Sequence, residues 1–202
     1  MLRLDDAVLV ARALALEVSD DELSAAERGL ADAAPSQTRR QELRAGRAAA
    51  REAFLTAEAG SPPSVLQDGR GRPRLDPPGD WFVSLAHDRA LACAAVARAP
   101  VGVDLLAFAR EGPAARVVAE RIRSGLGTAL LPGSVSPFPE SMLLWTAWEA
   151  LGKRTGEGVL TATRVPLRVE RRENVPTAFT AEARVRWFEI EGHLLCLAGA
   201  LP

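Results

Sequence analysis

Apolar runs of strand length alternate with helical segments on both sides of Pro100, and this alternation constrains the fold more than any other feature. In the first half, a helical segment at 36–60 precedes two strand-like runs, "WFVSLAH" and "ALACAAVAR". In the second half, strand-like "VGVDLL" precedes helical segments, and three more strand-like runs end the chain. Such alternation is typical of sheets covered by helices. We therefore predict two α/β halves divided near Pro100.

Local signals predict the ends of the two strongest helices. Ser36 opens the first, which closes at Gly60, and Gly156 stops the helix of residues 141–155. Three stretches are less distinct. "LDDAVLVARAL" fits a strand or a helix, "SDDELSAAERGLA" predicts a short helix capped at Ser19 or Asp20, and the Gly- and Pro-rich residues 60–80 predict loops.

Each half contains a short segment that is similar in sequence to one in the other half. "HDRALACAAVA", which begins at His87, resembles "GHLLCLAGA" around His193. An internal duplication explains this likeness, and so does chance, because short apolar runs resemble one another easily.

Composition narrows the classes of function. The chain has 202 residues, of which 48% are hydrophobic, and a net charge of -1. This charge argues against a general binder of polyanions such as nucleic acid, so any phosphate recognition must be local.

Cys93 and Cys196 lie in apolar runs without metal-ligand spacing and predict buried thiols in a reducing compartment. With no apolar run of 18 residues and acids near the start, we expect no membrane span and a cytoplasmic protein.

Lys153 is the only lysine, so the other 24 of the 25 basic residues (25 minus 1) are arginines. An ammonium is a compact point charge on a flexible stem, whereas a guanidinium is a planar fork. A tight phosphate pocket can require the former, although one lysine can also fall at any basic position by chance. Lys153 shares a helix face with Trp145 and Glu149, at i, i+4 and i+8. In one interpretation, Glu149 and Lys153 form a surface ion pair beside a tryptophan of the core. In the other, Glu149 is a metal ligand and Lys153 contacts a phosphate.

Asp104 follows the apolar residues of "VGVD", and we expect it at the carboxyl end of a strand, where α/β folds bind ligands. A helix cap is the alternative. Magnesium uses one or two carboxylates and takes its other ligands from phosphates and water. Asp104 and Glu149 together would meet that requirement.

Arginines recur along the first strong helix at i, i+4, i+7 and i+11, namely Arg40, Arg44, Arg47 and Arg51. Such a stripe is either a solvated face or an anion site. Gly46 favours a ligand, because glycine inside a helix costs about 1 kcal/mol and often marks a close approach. Arg72 in "GRP" is either a turn residue or a contact, and His87 alone is more typical of a hydrogen-bonded structural residue.

These pieces, taken in order, resemble the 4'-phosphopantetheinyl transferases of the longer, single-chain type. The pattern of that family is Gly-Arg in an Arg-rich helix, Gly-Lys/Arg-Pro, Ser-His, Gly-Ile/Val-Asp and Trp-x-x-Lys-Glu-Ala-x-x-Lys. The counterparts here are "AGRAAAREAF", "GRPRL", "VSLAHD", "VGVD" and "WTAWEALGK", which extend from about Arg40 to Lys153. The last two motifs, at this separation, are the specific part.

The resemblance implies an α+β fold in which two similar α/β halves in tandem, 1–100 and 101–202, form a pseudo-dimer with the site at their interface. It also implies a monomer that transfers the 4'-phosphopantetheine arm of coenzyme A to a serine of an acyl or peptidyl carrier protein, releasing 3',5'-ADP. In that reaction Asp104 and Glu149 would hold Mg²⁺. The implied catalytic residues are Glu149, Lys153 and Asp104. The implied coenzyme A contacts are Arg40, Arg44, Arg47, Arg72, His87 and Lys153.

Three positions depart from the pattern. Leu106 replaces a second acid, Ala86 replaces the serine before the histidine, and Trp148 replaces the lysine before Glu149. Either the remaining groups still support transfer, or the chain is a transferase-like fold that binds coenzyme A or a carrier protein without transfer. The candidate carrier surface is "RIRSGLGTALLPGSVSPFPES", an apolar patch with Leu126, Leu130, Leu131 and Phe138. The alternative for that segment is a plain loop.

Overall fold

The computed structural model describes residues 1–4, 7–58, 60–88, 90–108, 120, 139–162, 167–172 and 175–201. The chain divides into two compact units, Met1–Val101 and Gly102–Pro202. Each unit combines helices with antiparallel sheet, as an α+β fold requires. No helix in the described part of the chain is both long enough and apolar enough to cross a bilayer.

In its described residues, the first unit contains one four-stranded antiparallel sheet, one two-stranded sheet and two α-helices. Its strands are β1 (Leu2–Leu4), β2 (Ala7–Ala13), β3 (Ser64–Gln67), β4 (Pro73–Asp76), β5 (Phe82–Asp88) and β6 (Leu91–Ala97). Its helices are α1 (Ala25–Asp32) and α2 (Gln37–Thr56), preceded by a 3₁₀ turn, Asp20–Glu22. The larger sheet has the order β1-β2-β6-β5, and β3 pairs with β4.

Helix α2 forms because its sequence caps it and gives it an apolar face. The Ser36 side chain accepts a hydrogen bond from the Arg39 N–H, which satisfies one of the unpaired amides of the first turn. Small alanines along the buried face let the helix lie close to β2 and β6, and Phe54 fills the space beyond them. This packing fixes the position of the arginines on the same helix.

The described part of the second unit has a five-stranded antiparallel sheet with a long helix packed on it. Its elements are β7 (Gly102–Ala107), α3 (Glu140–Thr155), α4 (Val159–Ala162), β8 (Arg168–Arg172), β9 (Val175–Phe179), β10 (Arg184–Ile190) and β11 (His193–Gly199). The sheet order is β7-β11-β10-β9-β8. Helix α3 ends at Gly156, whose φ of 73° lies in the left-handed region that glycine adopts without a steric penalty.

Gly102 allows α3 to approach β7 closely. A Cβ atom at Gly102 would lie 1.8 Å from the backbone oxygen of Ala150 and 2.7 Å from the backbone nitrogen of Arg154. Real side chains do not approach backbone atoms so closely, so only glycine fits at this crossing. Because Asp104 is two residues further along the same strand, its side chain faces the same helix.

Several sequence predictions need correction. The first ambiguous stretch is a strand rather than a helix, because it pairs with β6 along seven residues, and residues 60–80 contain the β3–β4 hairpin in addition to loops. The predicted cap at Ser19 or Asp20 belongs only to the 3₁₀ turn, whereas Ser24 caps α1. Asp104 lies in the middle of β7 and not at its end, since the apolar run continues to Ala107. It therefore caps no helix.

Other predictions fall where the structure gives no test. The predicted helix "PAARVVAERIRSGLG" lies outside the described residues, apart from residue 120. Leu126, Leu130, Leu131 and Phe138 of the candidate carrier surface also lie outside them. The pseudo-dimer, the predicted bounds of the halves and the predicted position of the site stay predictions.

Candidate functional site

An acidic centre lies where β7 passes under α3. Asp104 is only 8% exposed because its strand neighbours are apolar and the helix covers it. The Nζ atom of Lys153 donates to Oδ1 of Asp104 at 2.7 Å, across 49 positions of sequence. The side chain of Lys153 is 32% exposed, so its ammonium still reaches solvent. The only lysine of the chain therefore points at an acid and not into open solvent.

Glu149 lies one helical turn before Lys153 and is half-buried. Its pKa is raised, first because burial disfavours the carboxylate and second because the negative charge of Asp104 is close, while the Lys153 ammonium acts in the opposite direction. Two carboxylates thus repel each other beside a single ammonium. A cation between them would relieve this repulsion.

This arrangement fits the Mg²⁺ ion that the sequence resemblance implies. Among the described residues, no group of three or more His, Cys, Asp or Glu side chains is placed to hold a metal ion. Magnesium does not need such a cage, because it keeps several waters and usually takes one or two carboxylates plus substrate phosphates. Asp104 and Glu149 supply those two carboxylates. Cys196, which pairs with Asp104 across the sheet, stays a protonated thiol because burial raises its pKa.

Trp148 lies in the hydrophobic core of the second unit. Its side chain is 0% exposed within the core formed by α3 and the sheet, and Leu106 lies in the same core. Its Nε1 atom has no hydrogen-bond partner among the described residues. A lysine at this position would place its ammonium in an apolar environment. The two departures from the family pattern, at 106 and 148, therefore enlarge the hydrophobic core of the second unit.

Arg47 forms the centre of a second cluster, in the first unit. Its residue exposure is 4%, its Nε donates to the Val65 carbonyl at 3.1 Å, and its Nη1 donates to the Leu43 carbonyl at 3.5 Å. Its Nη2 has no partner within the described ranges. Burial lowers the pKa of Arg47 to about 10, so the side chain is still charged at neutral pH. A buried guanidinium with an unused donor fits an anion.

Glu27 holds Arg47 in place through one residue of β3. The Val65 N–H donates to Oε1 of Glu27 at 2.7 Å, while the Val65 carbonyl accepts from Arg47. Glu27 itself is buried and completes a capping box with Ser24 at the start of α1. The backbone of Val65 is therefore hydrogen-bonded to a side chain of α1 through its N–H and to a side chain of α2 through its carbonyl. The charge of Glu27 also stabilises the charged form of Arg47.

Three polar side chains form a triangle beside Arg47. Arg39 Nη1 lies 2.7 Å from His87 Nε2 and 3.0 Å from Glu42 Oε2, and His87 Nδ1 lies 3.4 Å from Glu42 Oε1. A guanidinium only donates, so Nε2 of His87 accepts and its ring proton lies on Nδ1, toward Glu42. His87 thus takes part in a polar network and does not stand alone.

A cavity of about 110 Å³ joins the triangle to Arg47. A Cβ atom at Gly46 would meet only Leu85 Cδ1, at 3.9 Å, so no protein group requires glycine there. The absent side chain instead leaves the cavity open. The other lining residues include Arg39, Glu42, Gln67, Gly71, Pro73, Ala86 and His87. The cavity offers the guanidinium groups of Arg39 and Arg47 to an anion.

The predicted arginine stripe does not act as one group. Arg40 and Arg44 line a different cavity and face carboxylates, Arg40 with Nε 3.9 Å from Asp32 and Arg44 with Nη2 2.5 Å from Asp20. Arg72 lies between two lining residues of the Arg47 cavity, with its Nε 3.3 Å from Asp68. The roles of these three arginines in binding stay predictions.

Sequence reasoning missed Arg39, Glu42 and Glu27. Arg39 precedes Gly46 by seven residues, two helical turns, and therefore lies on the same face of α2 as the cavity. That spacing was available in the sequence. Glu27 could not be found in this way, because its partner Val65 is brought to it only by the fold.

Part of the chain matches a known protein family. The family model of the 4'-phosphopantetheinyl transferase N-terminal domain matches residues 26–97. The matched segment includes all of α1 except its first residue, together with α2 and β3 to β6, and so includes Arg47 and the residues that line its cavity. No curated protein sequence matches the chain.

Proposed function

Because the chain belongs to the 4'-phosphopantetheinyl transferase superfamily, we propose that it moves the phosphopantetheine arm of coenzyme A to a serine of an acyl or peptidyl carrier protein. The serine oxygen forms a bond to the β-phosphorus of coenzyme A, and the bond from that phosphorus to the bridging oxygen breaks. The products are the modified carrier and 3',5'-ADP. Little covalent work is left to the protein, because such transfers depend mainly on positioning and charge.

The second unit supplies the charged groups for the reacting pyrophosphate. Asp104 and Glu149 would hold Mg²⁺, which when bound neutralises charge that develops on the phosphates. Lys153 would add a point charge on a phosphate oxygen. Glu149 would accept the serine proton, directly or through water.

The first unit supplies groups for the nucleotide end of coenzyme A. The unused Nη2 of Arg47 suits a phosphate oxygen, since charge-assisted bonds from guanidinium to phosphate are strong. Arg39 and His87 line the same cavity. Arg72 is a further candidate contact, whereas the carboxylate partners of Arg40 and Arg44 make them weaker candidates.

The observation that carries this proposal is the meeting of Asp104, Lys153 and Glu149, the three charged residues of the two most specific motifs. The test is to incubate the protein with coenzyme A, Mg²⁺ and a panel of apo carrier proteins, and to measure the intact mass of each carrier. One carrier should gain the mass of phosphopantetheine. No gain on any carrier, with a known transferase modifying the same panel, would overturn the proposal.

The buried Trp148 favours a second candidate, a fold that binds coenzyme A or a carrier without transfer. In that case coenzyme A should bind equally well with and without Mg²⁺, and binding should survive Glu149→Ala. Under the transfer proposal both changes weaken binding, because the metal contributes to holding the phosphates. Isothermal calorimetry with coenzyme A separates the two.

A further inference from the structure

Lys153 lies where a divalent cation would have to bind. Its ammonium donates a hydrogen bond to Oδ1 of Asp104 at 2.7 Å. Asp104 is one of the two carboxylates proposed above as magnesium ligands. Building on that proposed function, we propose that Lys153 is the resident counterion of the metal site. A divalent ion displaces the ammonium from Asp104, and the displaced ammonium then becomes available to a phosphate oxygen.

Burial explains why Asp104 has a counterion at all. Its side chain is 11% exposed, and a carboxylate so far from water is unfavourable without a positive partner. Lys153 forms an ion pair with Asp104, whereas the neighbouring Glu149 is also negative. The ammonium of Lys153 therefore contributes to the compensation of Asp104 in the metal-free protein. A divalent ion at the two carboxylates takes over that compensation and repels the ammonium.

The chemistry of lysine suits a partner that must leave. An ammonium holds one oxygen as a point charge on a flexible four-carbon stem, so it can move by several ångströms without moving the helix. A guanidinium would bind a carboxylate as a fixed fork and would leave less easily. Counterion exchange thus gives a physical reason for the only lysine in an arginine-rich chain to lie at this position.

Arg154 provides a matched control on the next position of α3. Its Nη2 donates to the Glu182 backbone carbonyl at 2.9 Å, not to Asp104. Replacing Arg154 by Met removes one positive charge from the same helical turn and leaves the Lys153–Asp104 pair in place. Replacing Lys153 by Met removes the same charge together with the pair.

The single lysine also makes the exchange directly visible. Protein labelled with ¹⁵N at the lysine Nζ gives one side-chain ammonium signal, which is followed while Mg²⁺ alone is added. The signal should move from an ion-paired position to that of a solvent-exposed lysine, and its protons should exchange faster with water. Calorimetry should show that Lys153→Met binds Mg²⁺ at least about tenfold more tightly, since a unit charge a few ångströms from a cation is worth more than one decade of affinity. Arg154→Met should change binding by less than about twofold, because screening weakens a more distant charge.

The outcomes separate this inference from the proposed function. Magnesium binding that leaves the lysine signal unchanged overturns the exchange and leaves the metal site standing. Equal gains for Lys153→Met and Arg154→Met also overturn it, because they would reflect general charge alone. If neither the wild-type protein nor Lys153→Met binds Mg²⁺, the exchange fails together with the metal-dependent form of the proposed reaction. The wild-type titration needs no variant, so it stands even if Lys153→Met fails to fold.

Discussion

Gly102 should be among the least replaceable residues of the second unit. An alanine there would place its Cβ 1.8 Å from the Ala150 oxygen, so α3 must withdraw by about 1.6 Å to restore the ordinary contact of 3.4 Å. Overpacking typically costs about 1–3 kcal/mol, and here the obstacle is helix backbone that cannot rotate aside. We expect Gly102→Ala to lower the free energy of unfolding by about 3 kcal/mol. The withdrawal would also move Glu149 on α3 away from Asp104 on β7 and so separate the two proposed magnesium ligands.

Urea unfolding measures this effect, with Gly29→Ala as the control. Gly29 lies inside α1, and its added Cβ would meet nothing within 4 Å, so that variant should gain about 0.5–1 kcal/mol from a helix favouring alanine. Calorimetry with Mg²⁺ should show weaker binding for Gly102→Ala and no change for Gly29→Ala. A Gly102→Ala protein as stable as the wild type, with unchanged Mg²⁺ affinity, would refute the close approach as the feature that builds the acidic centre.

Three further results follow from the structure. Trp148→Lys should lose about 3–5 kcal/mol of stability in urea, because it removes a buried ring and buries an ammonium, and should gain no transfer activity; wild-type stability would contradict this. Glu149→Gln should be more stable than the wild type in metal-free buffer at pH 7. Because the pKa of Glu149 is raised in the folded protein, the wild type loses stability as the pH rises from 4.5, the ordinary pKa of glutamate, through the raised pKa. The melting temperatures of the wild type and Glu149→Gln should therefore be equal below that pH range and differ above it. A constant difference in melting temperature at all pH values would be contrary evidence. Arg47→Met should weaken coenzyme A binding at least about tenfold in calorimetry, and Arg40→Met by less than about twofold, since only the former removes a buried, desolvated donor; equal losses would count against the cavity.

The sequence predicted the long helices and central strands because their signals are local. Ser36 and Gly156 mark the ends of helices by capping chemistry, which depends only on neighbouring residues. The β3–β4 hairpin was missed because Pro73 and the surrounding glycines resemble a loop, while the pairing partner lies several residues away. The sequence around β2 fitted a strand or a helix because alanine favours helices, and only its pairing with β6 shows that it is a strand.

The sequence indicated some of the residues that meet in the candidate site, but not their geometry. Helical spacing placed Glu149 and Lys153 on one face, yet nothing local indicates that Lys153 reaches Asp104, 49 positions earlier. The arginine stripe shows the same limit. Spacing put Arg44 and Arg47 on one face of α2, but long side chains follow their partners, and those partners, Asp20 and the Val65 carbonyl, lie on different elements.

Asp104 and Glu149 are proposed to share a divalent cation beside Lys153. An anomalous difference map from crystals soaked with Mn²⁺ and coenzyme A tests this arrangement. A single manganese peak should lie in contact with both carboxylates, with the Lys153 ammonium moved from Asp104 onto a phosphate oxygen. A peak elsewhere, or Lys153 still bonded to Asp104 with coenzyme A in place, would contradict it.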